Sequence, residues 1–278
     1  MSADIFYTSV PGRLLFQGLQ KAGAFRLVSR FLQTRASRCL IPGYIRKNCI
    51  DMRCFEGQSF SSFAAFFARK QNGIRPFAAE SNVLISPCDA LLSIYDITPE
   101  LTLPMKGSVY ALEDLLPDRE LTARFEGGLC LVFRLEAADY HHFCCFDDAQ
   151  LMGVNYISGQ LHSVQPIAHR HFPVFRLNRR WWSVLETEHF GTSVQIEVGA
   201  MMVGGVTFSG EYSRFRRGEE MGNFELAGST VILLLGSAVR ERLAFRESIL
   251  PAVGGEEEIR IRMGAAIAEL QCCPNPSL

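Results

Sequence analysis

The sequence has no apolar run long enough for a transmembrane helix, although 48% of its 278 residues are hydrophobic. A membrane-spanning helix needs about 20 consecutive apolar residues, so none is predicted. The N-terminus also lacks the basic block followed by an apolar block that marks a secretory signal peptide. These two absences predict a cytoplasmic protein without a membrane span.

The cysteines and histidines show no spacing typical of bridges or metal sites. The nine cysteines are odd in number and include no Cys-x-x-Cys pair. Two pairs are adjacent, Cys144 with Cys145 and Cys272 with Cys273, and neighbouring cysteines rarely bridge each other. The six histidines form no metal-ligand pattern. The sequence therefore predicts neither a disulfide framework nor a metal site, and it favours a reducing compartment.

Acidic residues are nearly absent from the first 50 residues. This segment holds six arginines and two lysines against Asp4 alone, a net charge of +7, so the remaining 228 residues carry −8. Apolar residues recur at roughly helical spacing, among them Leu14, Leu15, Phe25, Leu27 and Phe31. The pattern predicts a basic amphipathic helical region over residues 1–55, formed by one helix or by two that break near Gly23.

Two interpretations of this basic region stay open. It can lie on an anionic membrane surface, or it can pack on the protein's own core with a solvated basic face. No basic-aromatic motif accompanies the charge, so nucleic-acid binding is not predicted.

Short strand patterns dominate the chain after about residue 83, with Gly, Pro or Asn between them. Helices are predicted over 57–71, with Ser59 or Ser61 as the cap, and within 107–126. Apolar residues at 194, 196 and 198 alternate with polar ones, which predicts a half-buried strand. The whole pattern predicts an α+β fold, with a helical N-terminal region followed by a largely antiparallel, sheet-rich body over residues 56–278.

Three groups of polar residues could carry chemistry. They are Asp89 in SPCDALLS, the adjacent His141 and His142 in DYHHFCCF, and the step from Gly228 to Ser229 before an aliphatic run. Taken singly, each has a plainer interpretation as a turn residue, a core histidine or the start of a strand. Together they supply an acid, a base and a hydroxyl, the set that activates a serine nucleophile.

The usual serine-hydrolase motif does not explain Ser229. The Gly-x-Ser-x-Gly elbow precedes a helix, whereas Ser229 precedes a predicted strand. A serine after a flexible glycine could instead attack the carbonyl group of Gly228, its own upstream neighbour.

Seven segments occur in an order and spacing that make a chance match improbable. They are FFARKQNGIRP (66–76), SPCDALL (86–92), DYHHF (139–143), LHSVQP (161–166), NRRWWSVLETEHFG (178–191), VGAMMVGGV (198–206) and RRGEEMGNFELAGSTVILLL (216–235). In these segments the chain resembles the phosphatidylserine decarboxylases, pyruvoyl-dependent enzymes made as self-cleaving proenzymes. The last segment is the most specific, because that family cuts itself at a Gly-Ser bond in this setting.

The resemblance implies a reaction of the chain on itself. Ser229 attacks the Gly228 carbonyl, an ester replaces the amide, and β-elimination releases a large chain of residues 1–228. The dehydroalanine left at position 229 hydrolyses to a pyruvoyl group and ammonia. The small chain, residues 229–278, then begins with its own cofactor, whose ketone forms a Schiff base with the substrate amine and takes up the electrons of decarboxylation.

The chain departs from the family pattern at one position that matters. Three residues after the tyrosine-histidine pair the family has a second histidine, where this chain has Cys144. The resemblance therefore assigns the catalytic base beside Asp89 and Ser229 to His141, which keeps its place after Tyr140. His142 and Cys144 are retained as substitutes or helpers.

The resemblance also implies where the protein works. It predicts a phosphatidylserine decarboxylase bound peripherally to the cytoplasmic face of an anionic membrane, with its large and small chains associated and a homodimer left open. One alternative is a pyruvoyl-dependent decarboxylase of a soluble amino acid. The other, motivated by Cys144, is an uncleaved relative without catalytic activity.

Overall fold

The computed structural model describes residues 6–73, 75–100, 102–105, 108–200, 205–209, 213–226 and 229–271. Within these ranges the α-helices are α1 (Val10–Lys21), α2 (Ala24–Leu32), α3 (Ile41–Asn48), α4 (Phe63–Phe67), α5 (Leu112–Leu115), α6 (Arg119–Ala123), α7 (Pro166–His169), α8 (Val174–Leu177) and α9 (Ser237–Arg240). Short 3-10 helices span Arg35–Leu40, Arg53–Phe55 and Glu247–Ala252.

The strands are β1 (Val83–Ile85), β2 (Ala90–Asp96), β3 (Thr102–Met105), β4 (Ser108–Ala111), β5 (Leu129–Leu135), β6 (His142–Cys144), β7 (Ala149–Ile157), β8 (Arg180–Thr187), β9 (Gly191–Val198), β10 (Val206–Phe208), β11 (Arg214–Phe215), β12 (Glu220–Phe224), β13 (Ser229–Leu235), β14 (Leu243–Phe245), β15 (Ile259–Ile261) and β16 (Ala266–Leu270). Eight of them form a sheet in the order β11-β7-β8-β9-β13-β5-β2-β15, with antiparallel neighbours throughout. The sheets β10-β12-β6 and β1-β16-β14 and the β3-β4 hairpin complete the described strands. The predicted α+β fold with a largely antiparallel body is confirmed.

Strand β13 lies inside the large sheet and is buried on both faces. Val231 and Leu233 belong to a hydrophobic cluster on one face, and Ile232 and Leu234 belong to a second cluster on the other. A strand covered on both sides carries a continuous apolar run instead of an alternating one, which explains this aliphatic segment. The first cluster also contains residues of β6 and β12, so the smaller sheet β10-β12-β6 covers the face to which Val231 points.

The N-terminal helices begin and break where the local sequence requires. Ser9 caps α1 by accepting a hydrogen bond from the backbone N of Gly12 at 3.1 Å, and Pro11 suits the first turn. Gly23 separates α1 from α2 with φ at +71°, a left-handed conformation that favours glycine. The predicted break near Gly23 is confirmed. No described helix is long and apolar enough to cross a membrane.

These helices pack on the protein's own core with one side and leave apolar side chains exposed on the other. Phe16 of α1 is fully buried and packs with Tyr7 and Val164, so the inner side of the helix joins the protein's own core. On the outer side, Leu14 and Leu27 are 64% and 65% exposed. The region therefore packs on the body and also presents an apolar surface.

Three local predictions need correction. The helix predicted over 57–71 covers only Phe63–Phe67, and its cap is Ser62, whose side chain accepts from the backbone N of Ala65 at 3.1 Å. Helices do occur within 107–126, as α5 and α6, but Ser108–Ala111 forms strand β4 because it pairs with β3. The strand predicted to be half-buried, β9, is buried on both faces from Ser193 to Val198, because the smaller sheet covers its polar side.

Candidate active site

Ser229 is the first residue of β13, inside the large sheet. It stands opposite Leu135 of β5, and its side chain lies on the same face as Val231, because alternate residues of a strand point the same way. The residue is only 1% exposed. Gly228, the other half of the predicted cleavage site, lies outside the described residues.

Asp89 lies at the same end of the sheet as Ser229. Leu91 of β2 and Thr230 of β13 both pair with Arg134 of β5, so they form one row across three strands. Neighbouring strands are about 4.8 Å apart, which separates the outer members of the row by about 10 Å. Asp89 lies just before β2, two residues before Leu91. Ser229 lies one residue before Thr230, so both residues are on the same side of this row.

The Asp89 carboxylate is held by three donors. Arg75 donates to both oxygens, with Nη2 at 3.0 Å from Oδ2, and the backbone N of Met263 donates to Oδ1 at 2.8 Å. The same guanidinium lies 4.6 Å from the ring centroid of Tyr140. A bidentate arginine pair fixes the plane of a carboxylate, so Asp89 is well ordered.

His141 is buried and has one unpartnered ring nitrogen. Its Nδ1 lies 2.9 Å from the backbone oxygen of Asp139, and its ring packs on Phe67 with centroids 4.1 Å apart. A carbonyl oxygen only accepts, so Nδ1 carries the hydrogen and Nε2 keeps its lone pair. Within the described residues Nε2 has no hydrogen-bond partner. Burial, followed by the charge of Arg69, lowers the pKa of His141 to about 3, so the ring is neutral.

His141 is also close to the chain that leads into Ser229. Its backbone oxygen accepts from the backbone N of Phe224 at 2.8 Å. Leu226, two residues further, packs in the cluster that contains Phe67, the same ring on which His141 stacks. The His141 ring therefore packs in the same region as Leu226, three residues before Ser229.

His142 and Cys144 have different surroundings. His142 stacks on Tyr140 at 4.3 Å, and its two nitrogens lie 3.2 Å from the backbone oxygen of Ala68 and from Glu220 Oε2. Both of these oxygens are hydrogen-bond acceptors. Cys144 is buried, and burial raises the pKa of its thiol, so the group stays a neutral thiol and offers no thiolate to accept a proton.

The described contacts do not join Asp89 to any of the predicted bases. Asp89 bonds to Arg75 and Met263, whereas His141 bonds to a backbone oxygen. Cys144 contacts the turn before Asp89 but not its carboxylate, since its backbone N donates to the oxygen of Pro87 at 2.8 Å and its Sγ lies 4.0 Å from the oxygen of Ser86. The catalytic roles assigned to Asp89, His141 and Ser229 stay predictions.

Glu197 is a residue of this site that the sequence analysis missed. It is fully buried on β9 opposite Val231, so it faces the same side as Ser229 and is its diagonal neighbour. Such neighbours lie about 7–8 Å apart. Gln195 Nε2 donates to Oε1 of Glu197 at 3.0 Å, and Oε2 has no partner among the described residues. Burial raises the pKa of Glu197 to about 8, so the carboxyl group keeps its proton near neutral pH.

A second missed residue is Arg75, which lies in a segment that the resemblance includes but that gave no sign of its partner. It lines a cavity of about 520 Å³ beside the Asp89 turn, together with Lys70, Tyr140, Cys144, Arg217 and Met263. The cavity gives solvent a route to the Arg75–Asp89 pair, whose side chains are partly exposed.

Comparison with known proteins identifies the family of this site. The family model for phosphatidylserine decarboxylase matches residues 63–269, which include Arg75, Asp89, His141, Glu197 and Ser229. This chain belongs to the phosphatidylserine decarboxylase family. The predicted enzyme class, a decarboxylase, is therefore confirmed.

Individual relatives extend the match to nearly the whole chain. Phosphatidylserine decarboxylase proenzyme 2 of Clostridium acetobutylicum is 36% identical over 265 residues, which cover 95% of this chain and 90% of the relative. The phosphatidylserine decarboxylase proenzyme of Ruminiclostridium cellulolyticum is 37% identical over 83% of this chain and 79% of its own length. The proenzyme of that name from Clostridium perfringens is 34% identical over 94% of this chain and 90% of its own length. The relatives are named as precursors, which is consistent with a chain that matures by processing.

Proposed function

We propose that this protein is a phosphatidylserine decarboxylase that makes phosphatidylethanolamine and carbon dioxide with a pyruvoyl group derived from Ser229. The observation that carries the proposal is a buried serine at the first position of an interior strand, within the part of the chain that matches the family. A buried hydroxyl costs free energy unless it is hydrogen-bonded, and a self-cleaving chain needs a hydroxyl at this position.

In the proposed self-cleavage, Ser229 Oγ attacks the carbonyl carbon of Gly228 and passes its proton to a base. The peptide C–N bond breaks and residue 228 becomes an ester on Ser229. Removal of the Ser229 α-proton then expels the carboxylate of chain 1–228 and leaves dehydroalanine. Addition of water releases ammonia and leaves the pyruvoyl group on chain 229–278.

His141 is the residue that best supports the role of base. Its Nδ1–H is fixed on the backbone oxygen of Asp139, so Nε2 offers a lone pair and has no competing partner among the described residues. Asp89 is held beside this end of the sheet by Arg75 and by the backbone N of Met263. Activation of a serine by a neutral imidazole is a common arrangement in nucleophilic catalysis.

The pyruvoyl group would supply a ketone that binds the substrate amine and accepts the electron pair released with carbon dioxide. The surrounding residues fit such a group, because Glu197 is a buried carboxyl group that holds a proton at Oε1 or Oε2 and has one oxygen without a partner. Its neutral acid can donate a hydrogen bond to a carbonyl oxygen on the Ser229 face. The burial of Glu197 and Ser229 also keeps bulk water away.

The outer side of α1 and α2 supports peripheral binding to an anionic membrane. Exposed apolar side chains there include Leu14, Leu15, Leu27 and Phe31. Arginines 26 and 30 lie on the same short helix. Apolar side chains that enter the interface beside cationic ones are typical of helices that lie on anionic lipid. This surface favours a lipid substrate over the alternative of a soluble amino acid, which needs no such contact.

Intact mass spectrometry of the purified protein tests the proposal. We expect masses for chains 1–228 and 229–278, with the small chain carrying a pyruvoyl group in place of its N-terminal serine. Phosphatidylserine should release carbon dioxide without added pyridoxal phosphate. A single full-length mass without activity would favour the uncleaved, non-catalytic alternative.

A further inference from the structure

A cavity of about 760 Å³ lies between the N-terminal helices and the body of the protein. One wall consists of α1 and α2, and the other consists of the segment 159–161 and Arg179. Gln20 Nε2 donates to the backbone oxygen of Leu161 at 3.1 Å and joins the two walls. The cavity is therefore formed by packing of the basic region on the body.

The lining of this cavity is cationic. Arg26, Arg30 and Arg179 contribute guanidinium groups, and none of the described lining residues is acidic. Within the described part of the chain, Arg26 and Arg30 form no ion pair that would offset their charge. Ser29, Gln17 and Gln160 add neutral hydrogen-bonding groups. Guanidinium groups match the geometry of phosphate oxygens, so a phosphate ester suits this lining better than a single carboxylate does.

The cavity lies close to the Ser229 end of the large sheet. The backbone N of Gly199 donates to the oxygen of Arg179 at 3.0 Å, and Gly199 directly follows Val198, the residue opposite Thr230. Arg179 and Ser229 are therefore about two strand spacings apart, or about 10 Å between backbones. An arginine side chain and the few bonds between a headgroup amine and its phosphate can span this distance.

The cavity also borders the apolar outer surface of α2. Leu27 follows Arg26 directly and Phe31 follows Arg30, and both apolar side chains are exposed. A lipid whose acyl chains lie against these residues can place its headgroup among the arginines without leaving the membrane interface.

We propose that this cavity binds the phosphodiester of a glycerophospholipid headgroup through Arg26, Arg30 and Arg179, and presents the headgroup amine toward residue 229. The inference rests on the proposed function for its lipid, but it concerns binding and can be tested without turnover. It assigns the arginines of α2 to substrate recognition in addition to general attraction to an anionic surface.

The test uses the uncleaved Ser229→Ala protein and a soluble short-chain phosphatidylserine below its micelle concentration, measured by titration calorimetry. Arg179→Gln and the double change Arg26→Gln with Arg30→Gln should each weaken binding roughly tenfold to a hundredfold, since they remove charged hydrogen-bond donors. Arg46→Gln is the matched control, because it removes one charge from the same basic region outside the cavity and should leave the affinity unchanged. Thermal melting checks that each variant folds.

Further ligands identify what the cavity recognises. Glycerophosphoserine should bind, although more weakly than the lipid, and free serine should not. Unchanged lipid affinity in both cavity variants would overturn the proposal, as would equal losses in Arg46→Gln. Equal affinity for inorganic phosphate and for the lipid would overturn the assignment of a headgroup site. Failure of the wild-type chain to cleave would instead contradict the proposed function and leave this binding result standing.

Discussion

The centre of the large sheet and the first two helices both reverse the usual distribution of polar and apolar side chains. At the centre of the sheet, Glu197 and Gln195 are fully buried beside Ser229. On the helices, Leu14 and Leu27 are about two-thirds exposed, at 64% and 65%. A buried polar group and a group of exposed apolar residues are the two features that ordinary core formation does not explain.

The two regions lower stability in different ways, and the difference indicates their roles. A buried carboxyl group loses its hydration and must keep its proton, which suits chemistry that excludes water. An exposed leucine forgoes the free energy of burial until another surface covers it. We therefore expect substitutions in the sheet to change processing and pH dependence, and substitutions on the helices to change binding.

The largest expected effect in the sheet is that of Ser229→Ala. The nucleophile and the precursor of the cofactor are one residue, so this chain should stay uncleaved and should not decarboxylate phosphatidylserine. Ser183→Ala is the matched control, because Ser183 is equally buried on β8 and its hydroxyl has no hydrogen-bond partner among the described residues. Mass spectrometry and release of carbon dioxide measure both effects. An active Ser229→Ala protein would contradict the proposed function.

The next effect concerns the base. His141→Ala should slow self-cleavage by about 10²–10⁴-fold, the usual contribution of general-base assistance. His142→Ala should slow it much less, since both nitrogens of His142 already face acceptors. The measurement is the fraction of cleaved chain against time after synthesis. Normal cleavage in His141→Ala together with failure in His142→Ala or Cys144→Ala would move the role to the other residue.

The sequence predicts the parts of this molecule that depend on local patterns. The aliphatic run of β13, the break at Gly23 and the unusual Gly-Ser step are all visible in a few consecutive residues. Each depends on local backbone preferences or on an apolar run, so each could be predicted before the fold was known.

The sequence does not predict contacts that depend on a second layer of structure. The alternation around Glu197 is typical of a strand with one solvent-exposed face. In the fold that face is covered, and Met221 of the smaller sheet lies 3.8 Å from Gln195 Nε2. The Arg75–Asp89 pair likewise requires a turn to bring together residues 14 positions apart. Local patterns carry no information about either approach, which is why both residues were missed.

Glu197 gives the large sheet a pH dependence. Its pKa rises from 4.5 to about 8 on folding, because burial favours the neutral acid. Below pH 4.5 both the folded and the unfolded states hold the proton, and between 4.5 and 8 only the folded state holds it. As the pH rises through this window, the free energy of unfolding should therefore fall by up to about 1.4 kcal/mol for each pH unit.

Glu197→Gln isolates this contribution, because glutamine keeps the shape and cannot ionise. In the uncleaved Ser229→Ala chain, the substitution should raise the free energy of unfolding at pH 8 and change it little at pH 5. Urea denaturation at the two pH values measures the difference, with the exposed Glu188→Gln as control. Equal effects of Glu197→Gln at both pH values would show that Glu197 is ionised in the folded protein.

The smallest expected effects lie on the helices. Leu14→Ser and Leu27→Ser each remove an exposed side chain that the proposed membrane contact would bury, so each should weaken binding to anionic vesicles by about 1–2 kcal/mol. Leu250→Ser is the matched control, since Leu250 is also an exposed leucine, at 53%, but lies in the 3-10 helix Glu247–Ala252 far along the chain. Flotation with vesicles in low and high salt separates electrostatic attraction from apolar contact. Salt weakens the attraction between the arginines and the anionic lipid and leaves the apolar contribution in place. Self-cleavage should be unchanged in all three variants, since the reacting groups lie in the sheet. Equal losses for Leu250→Ser would mean that the vesicles bind exposed apolar residues in general, and the distinction between the two regions would then fail at the helices.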